Sequence, residues 1–270
     1  MFTYTSNQFQ EIIDFMLKEA KRRGASDAVA EVSEGQGLSV TVRKGEVETI
    51  EQSLDKQVGV TLFLGHHRGN ASTSDFSKES LKATVDAAFH IAQHTAEDVC
   101  AGPAEAELLE KHPLDLDLFH PWNIDAAAAV EIARSAEGAA FAVSKQIQNS
   151  DGASVSAHHA HFMMGTSLGF MGGYPFSRHY ISCAPIASSG GKKAHMQRDD
   201  WYSSSRIPEE LADPAAIGRY AAQRALSRLK ARSLSTRRCP VIFEAPLAAG
   251  LLGGLVQAVS GGALYRRSSF

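Results

Sequence analysis

Cysteine is scarce in this 270-residue chain: Cys100, Cys183 and Cys239 are its only three. They are odd in number, far apart and form no Cys-x-x-Cys pair. That argues against a disulfide framework or a thiolate zinc site and predicts reduced thiols in a cytoplasmic protein. A basic excess is also lacking, with 27 Lys and Arg against 30 Asp and Glu, so the charge footprint of a nucleic-acid binder is absent. Met1-Phe2-Thr3-Tyr4-Thr5 has neither a basic n-region nor an apolar core, and no signal peptide is expected. The most apolar run, residues 247–260, is short and studded with Gly250, Gly253 and Gly254, which predicts no membrane span. That run also contains no His, Asp, Glu, Lys, Arg or Cys. Read as a buried helix, it offers no metal ligand and no general base.

What is present is ordinary globular material, 44% hydrophobic and 21% charged, long enough for one large or two smaller domains. Phe9, Ile12, Ile13, Met16, Leu17 and Ala20 recur at helical spacing, with Asn7 and Gln10 resembling a capping box and Gly24 as the stop. Strand patterns follow at residues 28–33, 38–42, 46–50 and 58–64, with a turn at Lys44-Gly45 and a polar tip at residues 66–70. A second helix is predicted over residues 77–94, with Leu81, Val85, Ala88, Phe89 and Ala92 on one face. A long connection over residues 95–121 carries Pro103, Pro113 and Pro121. An alanine-rich third helix spans about residues 125–144.

Strands return at residues 145–150, 153–161 and 180–187, with turns at Asp151-Gly152 and Gly190-Gly191. A fourth helix begins at Asp213-Pro214 and runs to about Arg232. Pro240-Val241-Ile242-Phe243-Glu244 reads as a short strand before a turn at Ala245-Pro246. The pattern is α+β: antiparallel meanders with flanking helices, arranged as two related halves, then the opening of a mostly β domain. The expected domains are residues 1–235, with a sub-division near residues 95–122, and residues 236–270.

Four segments are candidates for chemistry. His158-His159-Ala160-His161 looks like a metal cluster, yet on a strand only His159 and His161 share a face, and a solvated face is the simpler reading. His66-His67 reads as a polar turn. Residues 165–174 are glycine-rich but have no Gly-Lys-Ser/Thr ending, so close packing or a loop is expected in place of a phosphate cradle. Residues 196–206 are dense in polar and aromatic groups: Arg198 and Arg206 would clamp a carboxylate, while Trp201 and Tyr202 would line a peptide groove. The alternative is a strand with snorkelling side chains and a surface ion pair. Ser203, Ser204 and Ser205 have no evident base, and Gly253-Gly254 suits close helix packing.

Together several segments resemble the TldD/PmbA family, the "modulator of DNA gyrase" group of peptidase-like proteins, on its PmbA (TldE) branch. They include Val40-Thr41-Val42-Arg43-Lys44-Gly45-Glu46-Val47-Glu48, Thr166-Ser167-Leu168-Gly169-Phe170, Met196-Gln197-Arg198-Asp199 with Trp201-Tyr202-Ser203, Ala221-Ala222-Gln223-Arg224-Ala225-Leu226, and the stretch from Gly261 to Ser269 and Phe270. The resemblance implies a cytoplasmic accessory subunit of a two-subunit metallopeptidase acting on unfolded or small modified peptides. The zinc is expected in a TldD-like partner that carries a His-Glu-x-x-x-His helix. Here that motif would fall on Gly253, Gly254 and Ala258, none of which binds metal. The resemblance thus implies no catalytic or metal-binding residue in this chain, and Arg198, Trp201, Tyr202 and Arg206, read from their own chemistry, stay its candidate peptide-binding residues. A homodimer is the alternative for the isolated chain. The family continues past Ser269-Phe270, so much of a C-terminal domain is expected to be missing. Two rival readings are an autonomous zinc hydrolase using His158, His159 and His161, and a non-enzymatic protein acting on gyrase or a toxin system.

Overall fold

The computed structural model describes residues 2–110, 114–191 and 195–269; Pro113 of the long connection and Phe270 lie outside them. The chain divides into two compact units, Met1–Lys230 and Ala231–Phe270. In the first, helix α1 (Ser6–Arg23) leads into strands β1 (Asp27–Arg43), β2 (Glu46–Leu64) and β3 (His67–Thr73), closed by helix α2 (Lys78–His94). The order then repeats: helix α3 (Ala126–Val143), strands β4 (Ile147–Thr166), β5 (Met171–Ser188), β6 (Met196–Arg198) and β7 (Trp201–Ser205), and helix α4 (Pro214–Ser227). All seven strands join one antiparallel sheet in the order β3-β2-β1-β4-β5-β6, with β7 also on β5. The fold is α+β, and its two helix–strands–helix halves meet at the β1–β4 pair.

The strands are longer than the sequence pattern indicates. Residues 28–33 and 38–42 belong to one strand, β1, and residues 46–50 and 58–64 to another, β2. Gly35 and Gly37 read as a break but stay in the ladder, paired with Asp55 and Ser53. Asp151-Gly152, expected as a turn, instead lies within β4 at a register shift against β5, so the strand bulges and continues. The glycine-rich residues 165–174 form the β4–β5 hairpin.

In α1 the reciprocal cap is made by Thr5 and Gln8, not Asn7 and Gln10: Thr5 Oγ1 accepts from Gln8 N–H, and Gln8 Oε1 accepts from Thr5 N–H. Gly24 ends the helix at φ 92°. Ser77, Asp125 and Asp213 cap α2, α3 and α4. Helix α4 stops at Ser227, short of Arg232.

Strand alternation decides where the core lies. Ala28, Ala30 and Val32 of β1 with Val58, Val60 and Leu62 of β2 pack under Phe9, Ile13 and Met16 of α1 and Leu81 and Val85 of α2. Further along the same face, Val40, Val42, Val155, Ile181 and Cys183 pack under the alanine faces of α3 and α4. The four helices thus cover one face of the sheet in two pairs. Within this unit the other face carries no helix among the described residues.

A charged residue inside the second cluster ties the hairpin to its helix. Glu137 of α3 is buried, and its two carboxylate oxygens accept the backbone N–H groups of Lys44 (2.9 Å) and Gly45 (2.8 Å). Both turn residues are left-handed, at φ 54° and 79°, as a two-residue hairpin loop requires. Arg134 of the same helix adds a third bond, its Nε donating to Gly45 O at 2.9 Å. Glu137→Ala is expected to cost about 1.5–3 kcal/mol, because charge-assisted bonds are lost and two amides lose their acceptor. Urea unfolding checks this, and a loss below about 0.5 kcal/mol would show that the anchor contributes nothing.

The second unit contains helix α5 (Ala245–Ala258), with Pro246 in its first turn, and helix α6 (Gly261–Tyr265). The expected strand at residues 240–244 is not formed, and among the described residues this unit has no strand. The expected burial is also reversed: Leu247, Leu251, Leu252, Leu255, Val256 and Val259 are all exposed.

Candidate functional site

The gap between the two helix pairs is closed by polar and aromatic groups in place of aliphatic ones. On the helix-covered face, Glu34 and Gln36 of β1 stand opposite His161 and His159 of β4, which stand opposite Pro175 and Ser177 of β5. Two chain segments cross above them. Glu34 is buried, and its carboxylate accepts the N–H groups of Thr3 (3.0 Å) and Tyr4 (2.9 Å), fixing the N-terminal segment. Ser177 Oγ accepts His120 N–H at 2.9 Å, and His179 Nε2 donates to His120 O at 2.8 Å, fixing the segment before α3.

The histidines are therefore packed within the fold, and the solvated reading of His159 and His161 is overturned. His161 stacks on Phe9 at 4.6 Å between ring centres, and Phe2 lies 5.4 Å from both His159 and His161. His158 points to the other face, as alternation requires; Gly37 makes room for its ring, since a β-carbon there would strike His158 Nδ1 and Cε1. Burial lowers the pKa of His159, His161 and His179. For His161 the neighbouring Glu34 charge partly opposes this, and for His179 the bond to the His120 carbonyl does so.

This cluster does not fit a metal. Both Glu34 oxygens are taken by backbone amides and His161 is sandwiched by aromatic rings. Among the described residues no group of three His, Cys, Asp or Glu side chains is arranged to hold an ion. Nor is there an activated thiol here: burial pushes Cys183 up to about 12. Ser203 Oγ accepts Ala212 N–H, and Ser205 Oγ donates to Glu210 and accepts Ile207 N–H; these hydroxyls secure the loop before α4.

The four candidate peptide-binding residues do not gather at one point. Arg198 pairs with Asp151 of the β4 bulge at 2.9 Å, while Arg206 donates to the Ser177 carbonyl at 3.2 Å, far along β5. No shared carboxylate clamp is formed by these two. Trp201 lies on the helix side, 4.7 Å from the Tyr220 ring and 5.2 Å from the Arg224 guanidinium. Tyr202 lies on the uncovered side, stacked on Tyr180 at 5.3 Å. Arg198 and Tyr202 thus remain outward-facing, while Trp201 and Arg206 are engaged in the fold.

The uncovered face offers more to a ligand than these residues do. A hollow of about 930 Å³ crosses it, lined by Glu31, Ser33, Asp55, Gln57, Phe162 and Phe176 among others. Between the helix pairs, a second hollow of about 620 Å³ reaches Leu38, Gln52, Leu54, Trp122 and His159. Sequence reading missed Glu34 and Glu137. Each had a signal: Glu34 continues the inward series Ala28, Ala30, Val32, and Glu137 adjoins the buried alanines of α3.

Family comparison places this architecture. Residues 28–92 match the model of PmbA/TldA metallopeptidase domain 1, and residues 119–229 match that of the PmbA/TldA metallopeptidase central domain. The chain belongs to the PmbA/TldD family. It is 42% identical over 254 residues to the Metalloprotease PmbA of Escherichia coli O157:H7, covering 94% of this chain and 55% of that protein. It is 38% identical over 263 residues to the Metalloprotease PmbA homolog of Haemophilus influenzae, covering 97% and 57%. The chain therefore spans little more than half the length of these PmbA relatives. In fold it matches a crystal structure of a candidate modulator of DNA gyrase from Bacteroides thetaiotaomicron (TM-score 0.88, 17% identity, 97% of this chain and 59% of that one). It also matches TldE from Thermococcus kodakarensis (TM-score 0.64, 13% identity, 80% and 47%). No helix among the described residues is long and apolar enough to cross a membrane.

Proposed function

We propose that this PmbA-type chain is the non-metal, peptide-contacting subunit of a cytoplasmic heteromeric metallopeptidase whose zinc resides in a TldD-like partner. The observation that carries the reading is the composition of α5. Gly253, Gly254 and Ala258, where the family's metal helix would place two imidazoles and a carboxylate, lie within that helix and have no donor side chains. Among the described residues the packed histidines form no three-ligand group, which supports the reading. A subunit without metal ligands contributes to hydrolysis by holding substrate and shaping the chamber. Arg198, Tyr202 and the hollow on the uncovered face are available for that role.

The test combines metal analysis with reconstitution. The tag-free chain alone is expected to carry almost no zinc and to leave a fluorogenic unfolded peptide intact. Adding a TldD-like subunit is expected to give a stable complex that hydrolyses it. Near-stoichiometric zinc that disappears on replacing His159 and His161 would overturn the proposal in favour of an autonomous hydrolase. A complex whose hydrolysis is the same without this chain would overturn it too.

A further inference from the structure

β3 pairs only with residues 58–64 of β2. The rest of that strand, residues 46–57, pairs with β1 on one side and with nothing on the other among the described residues. At about 3.3 Å per residue this leaves some 40 Å of free sheet edge, with alternate N–H and C=O groups turned outward. Over residues 49–57 this edge carries acidic charge but neither a proline nor a bulge. The register shift of the pair puts its extra residue at Glu48, beside the turn, so that residues 49–57 stay in regular register with β1. The single Lys56 is drawn back onto the Tyr4 hydroxyl (3.0 Å) and the Phe76 ring. Ile50 and Leu54 are 52% and 69% exposed.

We propose that this edge accepts an extended cationic peptide as an added strand. Charge selects the occupant. The stretch carries Glu46, Glu48, Glu51 and Asp55 against Lys56 alone. Pairing with a second copy would oppose like charges across the new ladder, whereas a basic strand is attracted. The two faces supply what alternate side chains need. Glu51 and Asp55 share the uncovered face with Glu31, where the larger hollow begins. Leu54 shares the helix-covered face with Leu38 and Trp122, which line the smaller one. The preferred ligand therefore alternates basic and apolar residues, the basic ones over Glu51 and Asp55.

The inference rests on the peptide-contacting reading and is tested on the full chain with a short alternating Lys-Val peptide. Two isomers are N-methylated on one or the other alternate set of amides. The parent and one isomer are expected to bind alike; the other isomer is expected to lose at least about tenfold, because only one set of amides faces β2. A Glu-Val peptide should not bind. Glu51→Lys with Asp55→Lys should weaken binding about tenfold at low salt, without changing the thermal midpoint. Bound peptide should slow amide exchange over residues 46–57. No binding by the parent, equal binding by both isomers, or protection confined to another strand would overturn the edge site. If the assembled complex cleaves peptides while these tests fail, the edge site alone falls. If the peptide binds as described but reconstitution gives no hydrolysis, the subunit reading falls and the edge site stands.

Discussion

Replacing Gly218 with alanine is expected to destabilise the first unit by about 2 kcal/mol or more, while the same change at Gly138 is expected to stabilise it by about 0.5–1 kcal/mol. Both glycines sit inside helices, so both substitutions gain the same intrinsic propensity. Their surroundings set the sign. A β-carbon on Gly218 of α4 would run into the carbonyl group of Ala136 and sit 3.2 Å from Ala140 N on α3, whereas one on Gly138 would meet nothing within 4 Å. The obstacle is backbone, which cannot swing aside as a side chain can. The two helices must move apart, opening the alanine interface of Ala129, Ala133, Ala136 and Ala140 against Ala221, Ala222 and Ala225. Overpacking of this kind costs about 3 kcal/mol, which outweighs a propensity gain of about 1 kcal/mol. Thermal midpoints should move apart, downward by about 4–8 °C for Gly218→Ala and slightly upward for Gly138→Ala. Equal midpoints for the two variants would mean that α3 and α4 are not in backbone contact.

That close approach shows what the sequence conceals. Helix positions and most caps were legible because periodicity and capping are local: Gly24, Ser77, Asp125 and Asp213 end or begin helices as their types predict. The α+β class followed from the grouping of strands and helices. Strand continuity was not legible, because Gly35, Gly37 and Asp151-Gly152 read as breaks until a partner strand holds them in register. The alternation of His158, His159 and His161 was read correctly. Which face would be covered was not, since that depends on Phe2, Phe9 and Phe119 arriving from distant segments. The placement of the candidate peptide-contacting residues was hidden for a similar reason. Adjacent residues of β7 point to opposite faces, so Trp201 packs against α4 while Tyr202 stays on the open side. The free edge of β2 is a property of pairing, visible only once β3 is seen to end at Thr73.

Between about pH 7.5 and pH 5.5 the chain is expected to lose several degrees of thermal midpoint, through the histidines that close the gap between the helix pairs. The sign follows from burial. Desolvation lowers the pKa values of His159, His161 and His179 from the ordinary 6.5, so the folded protein keeps these rings neutral where the unfolded chain binds protons. Their contribution to stability is complete above 6.5. It declines as the unfolded chain protonates and is lost as pH falls through the lowered native values. His161 is the informative position because it is 6% exposed, stacks on Phe9 and stands opposite Glu34. His161→Phe keeps the ring packing and removes the titrating group, so its midpoint should fall less steeply with acid than the parent's. An identical slope would assign the acid sensitivity to other groups. A steeper slope would mean that protonated His161 is held by the Glu34 carboxylate, so that the charge pair outweighs burial. Phe2 of the N-terminal segment packs on His161, and Thr3 and Tyr4 bond Glu34 opposite it, so protonation of the ring should release that segment before the sheet unfolds. Protection factors at Thr3 and Tyr4, corrected for the intrinsic exchange rate, that fall below pH 6.5 ahead of those of β1 are the expected signature.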